Sequence, residues 1–296
     1  MRYVIIGGAG HTSKPLVLSL LNAGQDVTVI GRNPEHLQEL KQKGAKTAIG
    51  SVTDPDFLQQ SFSGADAIYT LVPPNLQAPN WKAYIAETGR LYAGAIRSAG
   101  IRYVVNLSSV GGHLAQGAGP VSGLYQVEKA LNHLDNVHIL HLRPGYFYEN
   151  LLANLSMVRQ MGILGANYPS HLKMVLVSPQ DIAAAASEEL LGLRFRGHSV
   201  RYIGSDERTT EEIARVLGQA IGKPELHWVE FSDEQSLQGM LQAGLPKELA
   251  ENFTEMGTAF RLGKMSEDYW QHHPDSLGKI KLEDFARTFA AAFQAN

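Results

Sequence analysis

The 296-residue sequence predicts an α/β protein: a doubly wound parallel sheet with a smaller mixed α/β C-terminal region. Three observations lead there. Short apolar runs alternate with helical-period segments through the first half. A glycine-rich stretch, GGAGHTS at residues 7–13, joins the first apolar run to the first helical segment. Six such alternations fit within about 150 residues, the rhythm of parallel strands joined by crossover helices.

RYVIIG is the first strand, and a helix runs from Thr12 to Asn22. DVTVIG is the second, after which Pro34 opens a helix reaching Gln42. AKTAIG follows, then DPDFLQQSF, a short helix with Asp54 as N-cap and Pro55 at its first position. ADAIYTLV precedes a long helix from Trp81 to Ser98, RYVVNLSS precedes the helix holding Tyr125, and VHILHLRP is the sixth strand. Beyond Gly145 the rhythm loosens. Segments 147–161, 179–191, 209–221, 232–243 and 282–294 read as helices, and KMVLV, SVRYIG and ELHWVEF as short strands. No repeat, low-complexity tract or linker separates the halves.

Apolar residues make up 44% of the chain and charged residues 19%, a globular balance. A formal charge of −3 with no Lys/Arg run offers no footprint for nucleic acid or an anionic membrane. Cysteine is absent, which excludes disulfides, thiolate metal sites and cysteine nucleophiles. Glycines interrupt the N-terminal apolar run at once, so it reads as a strand and not a signal peptide. No stretch reaches the roughly 18 unbroken apolar residues of a spanning helix, and the expected residence is cytoplasmic.

In GGAGHTS, Gly7 permits a tight turn and Gly10 lets the backbone approach a pyrophosphate. The helix start at His11, Thr12 and Ser13 supplies amide donors and the positive end of a dipole. Ser13 stands where the usual fingerprint has a third glycine, and is small enough for close helix–strand packing. At the end of the second strand, where NAD-binding proteins place an acid for the ribose 2′-hydroxyl, the sequence has Gly31 followed by Arg32. No carboxylate repels a 2′-phosphate there and a guanidinium is at hand to pair with it, so the expected cofactor is NADP(H).

The sequence resembles the NmrA-like group of atypical short-chain dehydrogenases. GGAGHTS, GRNPEHL, TLVPP, NLSSVG, VEKAL, LRPGYFYENLL, VSPQDIAAAA and TTEEIARVLGQAIGK carry the resemblance, in the family's order, over most of the chain. It implies a Rossmann domain, NADP(H) as ligand and a cleft against the C-terminal part. Residues 1–150 are thus expected to form the NADP-binding domain. Residues 151–296 are expected to form a substrate-side region packed on the sheet's carboxyl edge, without full independence.

Tyr125 and Lys129 show the Tyr-x-x-x-Lys spacing that places a phenol and an ammonium on one helix face. In family members with a true pair, a glutamate lies one turn after the lysine. If Glu128 is that glutamate, the lysine position falls on Leu124 and the tyrosine position on Pro120, and the pair sits about a turn too far along. The other register keeps Tyr125 and Lys129 catalytic but leaves little helix before the strand near Val137. Both registers stay open.

Ser108 and Ser109 end the fifth strand, where related enzymes use a hydroxyl on the substrate carbonyl. Ser109 is the catalytic candidate and Ser108 a cofactor contact, with loop-amide bonding the plain alternative. Pro73, after the fourth strand, would shape the nicotinamide side. His113, Tyr146, Phe147 and Asn150 are candidate substrate contacts, the aromatics offering a surface for a flat acceptor. The eleven histidines show no metal-ligand spacing, and no metal is expected.

The leading expectation is hydride transfer from NADPH to a quinone-like or other planar carbonyl acceptor, with no nucleic-acid or membrane partner; self-association is compatible with the sequence. The alternatives are a non-catalytic NADP(H) sensor and, against Gly31 and the displaced pair, a nucleotide-sugar epimerase or dehydratase.

Overall fold

The computed structural model describes residues 1–295. The first half comprises β1 (Arg2–Ile6), α1 (Ser13–Asn22), β2 (Asp26–Gly31), α2 (Gln38–Gln42), β3 (Lys46–Ile49), α3 (Pro55–Phe62), β4 (Ala67–Thr70), α4 (Trp81–Ala99), β5 (Tyr103–Leu107), α5 (Val121–Leu131) and β6 (His138–Pro144). Then come β7 (Tyr146–Phe147), α6 (Leu155–Met161), β8 (Leu164–Ala166), β9 (Lys173–Val177), α7 (Pro179–Gly192), β10 (His198–Ile203), β11 (Asp206–Thr209) and α8 (Thr210–Ala220). The chain closes with β12 (Trp228–Glu230), α9 (Asp233–Gln242), α10 (Lys247–Arg261), α11 (Glu267–Gln271) and α12 (Leu282–Gln294).

Seven parallel strands form the central sheet in the order β10-β6-β5-β4-β1-β2-β3. Because both faces are covered, the inner strands alternate their apolar residues between two cores. Tyr3 and Ile5 of β1 join α1 and α7 on one face, while Val4 and Ile6 join α3, α4 and α5 on the other. Gly89 lets α4 and α5 approach closely, since a Cβ there would lie 2.7 Å from the Val127 Cα. The seventh strand, β10, comes from residues 198–203, and α7 is tied to the first face by Tyr3 Oη donating to Leu190 O at 3.0 Å. Strand order reverses between β1 and β4, which opens the crevice where ligands of such sheets bind.

Two smaller sheets, β11-β9-β7 and β12-β8, share a third core with α8, α10 and α12. Asp54 caps α3 by accepting from the amides of Asp56 and Phe57, as the sequence predicts. The predicted helix over 147–161 is resolved differently: β7 pairs Phe147 with Val177, a 3-10 segment follows over Tyr148–Asn154, and only Leu155–Met161 is α-helical. Tyr148 causes the break: it is buried, stacks on Phe285 with centroids 5.4 Å apart, and donates to Ile280 O. The helix α10 was not expected, although Leu249, Phe253, Met256 and Phe260 follow a helical stripe.

A buried polar chain crosses the sheet beneath the crevice. Thr70 Oγ1 donates to Asn106 Oδ1 (2.9 Å), the Asn106 amide donates to His141 Nδ1 (3.1 Å), and His141 Nε2 donates to Asn132 Oδ1 (3.0 Å). That polarity requires a neutral imidazole, and burial pushes His141 down to about 4. The folded state therefore binds fewer protons than the unfolded chain between pH 6.5 and 4, so stability must fall as pH drops through this window. We expect a loss on the order of 3 kcal/mol from this group. Chemical denaturation at pH 7 and pH 4.5 should show it, and His141→Gln should flatten the slope.

Candidate active site

The phosphate loop leaves β1 through Gly7, whose φ of +90° suits glycine, and both Gly7 and Gly8 amides donate to Ile30 O. Gly10 N–H turns back to Gly7 O at 2.8 Å, and α1 then starts with no capping side chain and no acid in its first turn. Among the described residues the His11 and Thr12 amides have no backbone acceptor. Free amides at a helix start without a competing carboxylate fit a pyrophosphate. Thr12 is buried and His11 exposed. Ser13 is fully buried and spends its hydroxyl on Ile6 O at 2.9 Å, closing α1 on β1.

Arg32 is exposed at the carboxyl end of β2, close enough to Tyr84 to act on its phenol. Leu37 packs over the same corner. A Cβ on Gly31 would fall 3.1 Å from Leu37 Cδ1, and one on Gly8 would clash with Leu37. An acid at position 31 would thus displace Leu37. On the other side of the crevice Pro73 is half-buried, and its carbonyl accepts from Tyr84 Oη at 3.0 Å, fixing the loop after β4 onto α4.

The end of β5 rests on a buried ion pair that sequence reasoning did not assemble. Glu128 of α5 and Arg143 of β6 form a two-point contact, Nε to Oε1 at 3.0 Å and a terminal nitrogen to Oε2 at 2.6 Å. Ser108 Oγ donates to Glu128 Oε1 at 2.5 Å. The remaining Arg143 nitrogen donates to Asp268 at 2.8 Å and Tyr202 Oη at 2.9 Å, and Tyr202 also donates to Asp268. The loop above has no room to spare, since a Cβ on Gly112 would stand 2.7 Å from Glu128 Oε1. His113 follows, half-buried with Nδ1 unpartnered, and burial lowers its pKa despite Asp268 nearby. Ser109 donates to Val110 O at 2.8 Å.

On α5, Glu128 is buried, Tyr125 half-buried and Lys129 exposed. The structure brings Glu128, rather than Lys129, to Ser108 and Arg143, and no side-chain hydrogen bond among the described residues joins Tyr125 to Lys129. Tyr146 and Phe147 are half-buried in β7. Tyr146 meets Phe260 edge-on at 6.3 Å, and burial pushes its phenol up to about 12; Asn150 is exposed. Glu149, absent from the expected set, has a buried Oε2 without a partner and lies near His11. Its place in LRPGYFYEN was the one signal for it.

A doubly wound parallel sheet with this loop at its switch point defines a Rossmann-type fold with the geometry of a dinucleotide site. The chain belongs to the NmrA-like family, which it matches over residues 2–285. It is 24% identical over 304 residues to the NAD(P)H azoreductase of Xenophilus azovorans, covering 99% of this chain and 99% of that protein. Its fold is similar to that of an NADPH-dependent quinone oxidoreductase from Escherichia coli solved with NADPH (TM-score 0.82, 19% identity, 97% of this chain and 99% of that one). It is also similar to the triphenylmethane reductase of Citrobacter sp. solved with NADP(H) (TM-score 0.79, 20% identity, 97% and 99%). No helix among the described residues is long and apolar enough to cross a membrane.

Removing Arg143 strands the buried Glu128 carboxylate, which costs roughly 3–5 kcal/mol; removing Glu128 leaves Arg143 only its bonds to Asp268 and Tyr202, and removing both leaves just the less buried Asp268 without its arginine. Glu128→Leu and Arg143→Met should each lower stability in urea titrations, and the double variant should lose less than the sum of the two.

Proposed function

We propose that this NmrA-like protein is an NADPH-dependent reductase of small planar acceptors, with quinone-like carbonyls as the substrate class. The observation that carries the reading is the phosphate loop, with free amides at the start of α1, together with Gly31 and Arg32, and no acid, at the carboxyl end of β2. Full-length similarity to an azoreductase and a quinone oxidoreductase supports the acceptor class.

When bound, NADPH supplies the hydride. The chain supplies position. Gly7, Gly10, His11 and Thr12 would cradle the pyrophosphate, Ser13 would keep α1 closed on β1, and Arg32 would pair with the 2′-phosphate. Pro73 and Ser108 would border the nicotinamide; Ser108, its proton already given to Glu128, can only accept from a ligand. Tyr146 and Phe147 would flank the acceptor, with His113 and Asn150 at its rim and Ser109 holding the loop. Proximity and orientation then do most of the catalysis. Tyr125 and Lys129 take no part, because the helix position facing Arg143 belongs to Glu128.

NADPH oxidation across a quinone panel, with NADH in parallel, tests the reading; saturable turnover preferring NADPH is expected, and binding without turnover would favour a sensor. Arg32→Ala should weaken NADPH binding roughly 10- to 100-fold while leaving NADH binding within about twofold, as loss of a charge-assisted hydrogen bond requires. Tyr125→Phe should keep most of the wild-type kcat; a drop of several orders of magnitude would restore it as the catalytic acid.

A further inference from the structure

Five tyrosines are fully buried, and four of them spend their phenol protons within the chain. Tyr3 donates to Leu190 O, Tyr92 to Leu71 O, Tyr148 to Ile280 O and Tyr269 to Glu207 Oε1. Tyr69 of β4 does not: its Oη is shielded from solvent and has no hydrogen-bond partner among the described residues. Leaving a buried hydroxyl unpaired costs stability, so this one calls for a use that the fold itself does not supply.

The strand register places that phenol. Tyr69 lies beside Ile5 of β1, and its side chain belongs to the same core as Leu16 and Val17 of α1. Two residues on, Leu71 reaches the phosphate loop, where a Cβ on Gly7 would stand 2.8 Å from Leu71 Cδ2 and 3.0 Å from Ser13 Oγ. Ser13 in turn holds α1 down on Ile6 O. The ring therefore sits under the first turn of α1, with the Thr12 side chain as its polar neighbour.

Thr12 is the other half of the arrangement. It occupies the N-cap of α1 in a helical conformation (φ −90°, ψ −43°), and its hydroxyl caps no amide of its own helix. Its backbone amide has no backbone acceptor among the described residues, and the first turn of α1 carries no acid. A threonine hydroxyl can accept one proton while donating its own. Two neighbouring hydroxyls at an anion-binding helix start thus stand without the bonds that such groups ordinarily make.

We propose that Tyr69 is a positioning residue of the phosphate loop: its phenol donates to Thr12 Oγ1 and so directs the Thr12 proton onto a pyrophosphate oxygen of the cofactor. The assignment rests on the dinucleotide-site part of the NADPH-reductase reading. Tyr69 and Thr12 are not hydrogen-bonded to each other in the structure, and engagement of a phosphate oxygen by Thr12 closes that gap. The phenol then polarises the hydroxyl in front of it, and each hydrogen bond strengthens the other.

Binding of NADPH and NADH to the purified full-length protein, read by titration calorimetry, tests this. Tyr69→Phe removes only the hydroxyl, and should raise both Kd values by the same factor, roughly 5- to 10-fold, because the two cofactors share the pyrophosphate. Thr12→Val should raise them roughly 10- to 100-fold and Thr12→Ser by no more than about threefold. Adding Tyr69→Phe to Thr12→Val should cost nothing further. In urea titrations without cofactor, Tyr69→Phe should keep or raise the wild-type midpoint, since the lost hydroxyl had no partner there. A wild-type Kd in Tyr69→Phe, or a further loss in the Thr12→Val background, would overturn the proposal alone, and so would a lowered urea midpoint, which marks a structural role. The expected losses without turnover on any acceptor would support the proposal and remove the reductase reading. Absence of cofactor binding by the wild type would overturn both.

Discussion

Burying a carboxylate beside a guanidinium is worthwhile only when further hydrogen bonds support both groups, and the Glu128–Arg143 pair finds them by recruiting three other parts of the chain. Ser108 brings in the end of β5, Tyr202 the edge strand β10, and Asp268 the short α11. The pair itself joins α5 to β6. Because hydrogen bonds to charges are directional, these elements cannot slide independently. The crevice floor on one side of the switch point is thus set by electrostatics as well as by packing. Gly112 is forced by the same cluster, which presses directly against the loop above it.

The opposite side of the crevice depends on shape. Leu37 fills the corner that an acidic side chain on β2 would occupy, and Ser13 binds α1 to β1 through a single hydroxyl. Gly31 leaves Arg32 as the first ionisable side chain after β2 at this corner.

Legibility in the sequence followed the range of the interactions. The β1–α1 loop, the Asp54 cap and the alternating strands are encoded within a few residues, and the structure reproduces them. The stretch 147–161 was misjudged because its break depends on Phe285 and Val177, which sequence spacing does not bring near it. The helix α10 had an apolar stripe in plain view that a Pro-flanked, highly charged segment obscured. At the site, Glu128 and Arg143 both lie in recognisable motifs, yet nothing local says that they meet. The Tyr125 and Lys129 spacing was visible, whereas the face it occupies is decided by which neighbour buries Glu128. The unpartnered Oε2 of Glu149 could not be seen from spacing at all, since it is a property of the surroundings.

The docking of α10 onto α4 bears on how the protein is made. The first amide of α4, Trp81 N–H, is satisfied by Glu248 at 2.8 Å, Trp81 meets Phe253 edge-on, and Lys82 pairs with Glu255. These partners leave the ribosome some 167 residues after the helix they complete. Until then the nascent chain carries a finished crossover helix with an unfinished start, and β6 presents an open edge until β10 arrives. Each half waits for the other, and a chain halted between them would hold its most adhesive surfaces in solvent.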